Sequence, residues 1–202
     1  MERKPYSAGA VKFSFWFTEF RKTVQLLSEG KTYADIKRRN EEGNLYSAAT
    51  KARARQIYST VTARIKSLDE SFYPIFMRSD LSAQKLFALT ASLLHDTLFF
   101  DFVYELVREK MILGSDELTD ADVRIFFKGK QEQSKKIASF REDTLRRLAA
   151  CYRTQLYEAG LLASKRLRSS RKILRPILDP AFEHWLYEHE LGIMVKALTG
   201  VR

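Results

Sequence analysis

The sequence predicts an all-α protein, and three observations carry that reading. Gly and Pro are scarce, 8 and 4 in 202 residues, so turns are few. Apolar residues recur at steps of three and four through most of the chain, the spacing that lines one side of a helix. With 45% hydrophobic and 12% aromatic residues the chain can bury a real core, which excludes a disordered tail. Its length fits one domain or two small ones. Composition divides it into a basic helical lobe at residues 1–70, an apolar helical hairpin at 71–114 and a C-terminal helical lobe at 115–202, expected to form one compact unit.

The first helix is expected over Phe13–Leu27, where Phe13, Trp16, Phe17, Phe20, Val24 and Leu27 share a face and Gly30 suits the C-terminal cap. Thr32 followed by Asp35 resembles a capping box, with Asp in place of the usual Glu, and opens a short helix ending near Asn40–Gly43. A third helix is expected over Tyr46–Leu68, with Ala54, Ile57, Val61, Ile65 and Leu68 in one stripe. Lys51, Arg55, Thr62 and Lys66 fall on a neighbouring exposed stripe, while Arg53 and Arg64 flank the core from the other side.

Pro74 interrupts the chain, and Ser79-Asp80 caps a helix carrying Leu86, Leu89, Leu93 and Leu94. A second apolar helix continues through Leu98, Phe102, Leu106 and Val107 to about Leu113. The window Leu86–Leu106 is the most membrane-like, yet His95, Asp96, Asp101 and Glu105 would cost several kcal/mol at bilayer depth. It reads as a buried hairpin and no membrane partner is expected.

Thr119 with Asp122 repeats the cap pattern and opens a short helix through Val123, Phe126 and Phe127 that Gly129 should close. A long helix over about Glu132–Ala159 turns Leu145, Leu148, Tyr152 and Leu156 inward and Lys135, Arg146 and Arg153 outward. Helical periodicity then lapses from Leu161 to Leu178, which suits a short β-hairpin or basic loop at about 163–176. Pro176 and Pro180 bracket the exit, and Ala181–Leu198 returns to helix.

The formal net charge of +10 is clustered. Residues 1–66 hold 14 basic and 6 acidic residues, and 134–175 hold 12 and 3; the block 67–133 between them holds 7 and 12, and 176–202 hold 2 and 4. Two basic lobes thus flank an acidic, apolar middle, and a polyanion is the natural partner. Residues 14–68 have the layout of a helix-turn-helix, although plain helical packing with a solvated basic face produces the same layout. Residues 115–178 follow the order of a winged helix. There Lys165, Arg166, Arg168, Arg171, Lys172 and Arg175 concentrate positive charge with no acid among them, a density that core packing does not produce. A docking site for an acidic protein and a solvated loop are the other readings of that segment.

Enzyme signatures are scarce: the sequence has no Gly-rich phosphate loop, no GxSxG elbow and no HExxH. His184 and His189 are five apart, not the four that stack two ligands over one metal, and read as structural. His95 beside Asp96 reads as a satisfied core pair. The single cysteine, Cys151, excludes an internal disulfide and any Cys-based zinc site, so the cytoplasm is the default compartment. Met1–Gly9 leads into aromatic residues rather than the apolar run a secretory signal needs, so no signal peptide is expected.

Several collinear strings resemble the BrxA family of bacterial BREX (bacteriophage exclusion) phage-defence systems. They are Tyr6-Ser7-Ala8, Glu29-Gly30-Lys31 with Asp35-Ile36-Lys37, Asn44-Leu45-Tyr46 leading to Thr50, Arg53-Ala54 and Ile57, and Arg64-Ile65 with Leu68. Phe102 with Arg108-Glu109-Lys110, Leu118-Thr119 with Phe126-Phe127, and Glu158–Leu162 followed by Pro176 and Pro180 continue the match over nearly the whole chain. The resemblance implies a small all-helical cytoplasmic accessory protein that binds double-stranded DNA beside larger BREX components, a methyltransferase and ATPases among them. It brings no catalytic residues, and no cofactor or small-molecule substrate is expected.

The leading expectation is therefore a non-enzymatic DNA-binding protein of weak sequence specificity, contacting phosphates through Lys51, Arg53, Arg55, Lys66, Lys135, Arg146 and Arg153 and the basic segment from Lys165 to Arg175. An adaptor docking acidic surfaces of BREX components and an RNA-binding module are the alternatives.

Overall fold

The computed structural model describes residues 3–164 and 170–202. A 3-10 turn, Gly9–Lys12, leads into α1 (Phe17–Ser28), α2 (Tyr33–Gly43) and α3 (Lys51–Ile65). The first helix begins four residues later than periodicity suggests. Arg64 explains the delay, because its Nη1 donates to the carbonyls of Ser14 at 3.0 Å and Phe15 at 2.8 Å, which holds that stretch out of a helical ladder. Trp16 then turns through left-handed backbone at φ 52° to start α1.

The capping box forms as the sequence predicts. The Thr32 hydroxyl accepts from the Asp35 amide at 3.1 Å, and the Asp35 carboxylate accepts from the Thr32 amide at 3.1 Å. Thr119 and Asp122 repeat the arrangement. Tyr46 lies outside α3: residues 44–50 form a loop in which Asn44 and Ser47 are left-handed, and the Asn44 side chain binds both the N–H and C=O of Ala48. Thr50 caps the helix by accepting from the Arg53 amide.

The middle of the chain supplies the core. After α4 (Phe72–Arg78), α5 (Leu81–His95) is buried along most of its length. It meets the next helix, Thr97–Ile112, at a bend of 115°, and no single helix among the described residues is long and apolar enough to cross a membrane. That second helix comprises α6 (Thr97–Asp101), a π-helical segment (Phe102–Val107) and α7 (Arg108–Ile112). Its charged residues are paired: Asp101, 1% exposed, accepts from Arg3 at 2.7 Å, Tyr6 at 2.7 Å and Lys130 at 2.8 Å, and Lys130 also meets Glu105 at 2.6 Å. A buried carboxylate with this many donors escapes the cost of an isolated charge.

The C-terminal part runs β1 (Glu117–Thr119), α8 (Asp120–Gln133), α9 (Lys135–Ala138), α10 (Glu142–Glu158), β2 (Ser170–Lys172), α11 (Pro180–Glu188) and α12 (Gly192–Thr199). β2 pairs antiparallel with β1, Leu118 opposite Arg171, and Ile173 bridges to Leu162. The chain thus turns back on itself where the hairpin was expected, and β1 adds a strand that the sequence pattern does not announce.

Two expected helices are divided. Gly129 does not close α8, whose buried Phe126, Phe127 and Lys130 carry it to Gln133. The long helix predicted over Glu132–Ala159 breaks at Ser134, where extended backbone lets the hydroxyl cap α9 and turns Ile137 fully inward. The helix predicted over Ala181–Leu198 breaks at Glu190, which is left-handed. Gly192 then allows a close approach, since a Cβ there would lie 2.9 Å from the Tyr187 ring. One hydrophobic cluster joins these elements from Ala10 to Leu198, with Phe87 packed 4.3 Å from Phe182 between ring centroids.

Candidate nucleic-acid interface

On α3, Lys51 and Arg55 point into solvent, and no ion pair among the described residues involves either. Lys66 is exposed, with its ammonium over the Tyr33 ring at 4.5 Å. Arg53 lies 4.8 Å over the Trp16 ring and donates to Gln56 Oε1 at 2.7 Å and to the Lys12 carbonyl at 3.3 Å. A cation stacked on an aromatic face keeps its charge available to an anion. Two residues of the expected pattern lie inside instead. Thr62 is buried and donates to the Tyr58 carbonyl, and Arg64 is 4% exposed, with burial pulling its guanidinium down to about 10. Arg64 still carries its charge at neutral pH, as a clamp on the Ser14–Phe15 backbone.

A groove of about 640 Å³ separates the 11–15 stretch from α3 and α10. Its cations come from three parts of the chain: Lys12, Arg53 of α3 and Arg147 of α10. Arg147 was not among the expected contacts. The signal for it was present in the sequence, because Arg147, Ala150 and Thr154 lie three and four apart on the polar side of α10 and line the groove together. Its neighbour Arg146, which was expected, is exposed and pairs with Asp143 one turn earlier. Cys151 closes the groove floor, its thiol donating to the carbonyls of Ala10 at 3.0 Å and Phe13 at 3.2 Å, and burial raises its pKa.

The hairpin region corrects two assignments. Asp120, in the first turn of α8, accepts from Arg153 at 2.8 Å and from Arg171 at 3.0 Å. The Arg171 side chain is 1% exposed and that of Arg153 11%, so both are internal struts tying β2 and α10 to α8 rather than outward contacts. Burial and the neighbouring Arg171 lower the pKa of Arg153, and Asp120 opposes them. Lys172 and Arg175 remain exposed, Lys172 lying 3.6 Å from Asp116. Lys135 is exposed on α9, a different helix from Arg146 and Arg153, so the three do not form one face. Lys165, Arg166 and Arg168 lie outside the described residues.

The histidines take separate roles. His184 meets Glu188 at 3.2 Å on the surface; His189 stacks on Trp185 and lies 3.0 Å from the Ser71 hydroxyl. His95 and Asp96 face one cavity of about 90 Å³ but do not bond each other: His95 Nδ1 lies 3.1 Å from Lys4 Nζ, while Asp96 caps α6 through the amides of Leu98 and Phe99. Burial, with Lys4 and Arg64 nearby, pulls His95 down to about 4. Burial pushes Asp96 up to about 6 against its hydrogen bonds and Arg64.

A family model described as BrxA matches residues 4–190. A BREX protein BrxA of Bacillus cereus (strain H3081.97) is 36% identical over 184 residues, 91% of each chain. The crystal structure of an uncharacterized protein from Magnetospirillum magneticum superposes with a TM-score of 0.79 over 98% of this chain and 100% of that one, at 17% identity, which shows a common fold. Caps, core and sequence agreement along the whole length lead to one conclusion: the chain belongs to the BrxA family of BREX phage-defence systems.

Proposed function

We propose that this protein is a non-enzymatic, cytoplasmic accessory factor of a BREX system that binds double-stranded DNA with weak sequence specificity. The observation that carries the reading is the convergence of Lys12, Arg53 and Arg147 on one groove, with Lys51 and Arg55 unpaired on α3. Cations left without carboxylates are the means by which proteins neutralise phosphates, and they carry little sequence information. The layout supports it further: α2, loop and α3 follow the order of a helix-turn-helix, and β1, α8, α10 and β2, with Leu162 bridged to Ile173, follow that of a winged helix. Fluorescence anisotropy against a random 30-base-pair duplex at several salt concentrations tests the reading. Micromolar or tighter binding with a steep salt slope is the expected result, and no binding at low salt overturns it.

A second reading, docking to the BREX methyltransferase or ATPases, draws on a different surface. Ile177 is 97% exposed and Leu174 38%, on either side of Arg175. Apolar side chains around a cation suit a protein interface better than a phosphate backbone. Pull-down of BREX components that is lost in Ile177→Asp while duplex binding persists would establish it as a separate activity.

A further inference from the structure

The basic groove has a neighbour of different chemistry. Ser14 and Glu158 line the groove and also line a second cleft, of about 610 Å³, on their other side. The rest of that cleft is Trp16, Phe17, Thr18 and Glu19 at the start of α1, Lys85 of α5 and Tyr157 in the last turn of α10.

The groove gathers Lys12, Arg53 and Arg147 against a single carboxylate, Glu158. The cleft sets Lys85 against two, Glu19 and Glu158, and adds aromatic rings. Phe17 is half-buried, with the Lys85 ammonium 6.0 Å over its ring, and Tyr157 is 38% exposed. Among the described residues only Tyr157 and Tyr187 are aromatic side chains that the fold leaves exposed; the other rings are wholly or partly covered. Two carboxylates around one cation disfavour a phosphate, but they accept from N–H groups, while Lys85 and the Thr18 hydroxyl donate. A nucleobase is a neutral, planar ligand with both kinds of edge group and a face to stack on an aromatic ring. The volume lies within the range of about 300–1,000 Å³ for sites that enclose a small molecule.

The divider between the compartments is held in place. Arg64 binds the Ser14 and Phe15 carbonyls from inside, and Trp16 turns at φ 52°, a left-handed conformation that a bulky residue adopts only where its surroundings impose it. The Trp16 ring lies 4.8 Å beneath Arg53, so one residue lines the cleft and supports a cation of the groove. A fixed spacing of this kind suits a ligand that enters both compartments at once.

We propose that the cleft receives an unpaired base of a DNA strand whose phosphates lie in the groove, the base stacking on Tyr157 with its polar edge toward Lys85, Thr18 and Glu19. The base site rests on the DNA reading and extends it. DNA in which a base has left the helix becomes the favoured form, with little regard for which base, since every base has a face to stack.

Fluorescence anisotropy with three 30-base-pair duplexes tests the base site: one fully paired, one with an extra unpaired adenine at its centre, and one with an abasic residue in place of that adenine. The adenine bulge should bind about tenfold tighter than either of the others, the size of one base stacked on one aromatic ring. Tyr157→Ala and Tyr157→Leu should both abolish that preference and leave affinity for the paired duplex as it was, which also shows that each variant is folded. Tyr157→Phe keeps the ring and should keep the preference. Equal affinity for all three duplexes overturns the base site alone. Equal preference for the adenine and abasic bulges overturns it as well, because a flexible bend is then what is bound. A preference that survives Tyr157→Leu does the same. Absence of binding to any of the three removes the DNA reading and the base site together.

Discussion

The two basic lobes are similarly rich in Lys and Arg, but they spend that charge differently. On α3, Lys51 and Arg55 face outward and enter no ion pair among the described residues, and in the second lobe Arg147 does the same at the groove. At the turn-back from α10 to β2, a single residue, Asp120, draws Arg153 and Arg171 into the fold. Charge counted along a sequence therefore measures supply, and the carboxylates that folding brings near decide what remains for a partner.

The largest expected effect comes from reversing the outward set. Lys51→Glu, Arg55→Glu and Arg147→Glu together should reduce the salt slope of duplex binding by about 2.7 and lower affinity near 0.1 M salt by about 10²–10³, if each residue neutralises one phosphate. Circular dichroism should be unchanged, since all three are surface residues. A triple variant that binds as the parent does would break the contrast between outward cations and those that Asp120 draws inside.

Next is Arg64, an arginine of the first lobe that behaves like those of the second. Arg64→Met strands the buried Phe15 carbonyl and the part-buried Ser14 carbonyl and should cost about 2–3 kcal/mol, roughly 4–12 °C in Tm. Asp120→Asn should cost about 2 kcal/mol by leaving two largely buried guanidinium groups without their carboxylate, a value reduced because Asp120 is itself 38% exposed. Hydrogen exchange would place that loss at the Ile173 and Leu174 amides, which bond Asp116 and Leu161.

A smaller effect concerns pH. Asp96, raised to about 6, makes stability fall as pH climbs from about 4 to 6, because the folded state holds a proton the unfolded chain has lost. His95, lowered to about 4, makes stability rise over nearly the same window, because the unfolded chain takes up the proton first. The two slopes oppose, so Asp96→Asn should expose the rise and His95→Gln the fall in urea titrations between pH 4 and 6. Parallel slopes in the two variants would show that the groups do not titrate as placed. Smallest is Arg146→Ala, which removes one exposed pair with Asp143 and should change stability by less than about 0.5 kcal/mol.

Local chemistry was the legible part. The Thr32–Asp35 and Thr119–Asp122 caps act over three residues, and both form where the spacing predicts. The apolar stripes of α3 and α5 reported the core for the same reason. What escaped the sequence depends on distant partners: Phe13–Trp16 is helical by periodicity but lies outside the helix because Arg64, 49 residues beyond Phe15, holds the Ser14 and Phe15 carbonyls. Arg171 reads as solvent-facing until Asp120, 51 residues before it, takes its charge. Arg147 was within reach of a stricter reading of α10, because its polar neighbours share its stripe. Ser134 broke a helix that hydrophobic spacing alone would continue, since a buried Ile137 at the start of the new turn matched the old pattern.

The aromatic packing carries a consequence for synthesis. Phe87 lies against Phe182, and Phe72 lies 6.1 Å from Trp185 between ring centroids, so the central rings are covered by residues that leave the ribosome about 95 positions after Phe87. At about 5–20 residues per second those rings stay open to solvent for roughly 5–20 s. Until α11 emerges, the nascent chain presents an uncovered aromatic face, and a slow stretch of translation before Phe182 would prolong its need for a chaperone.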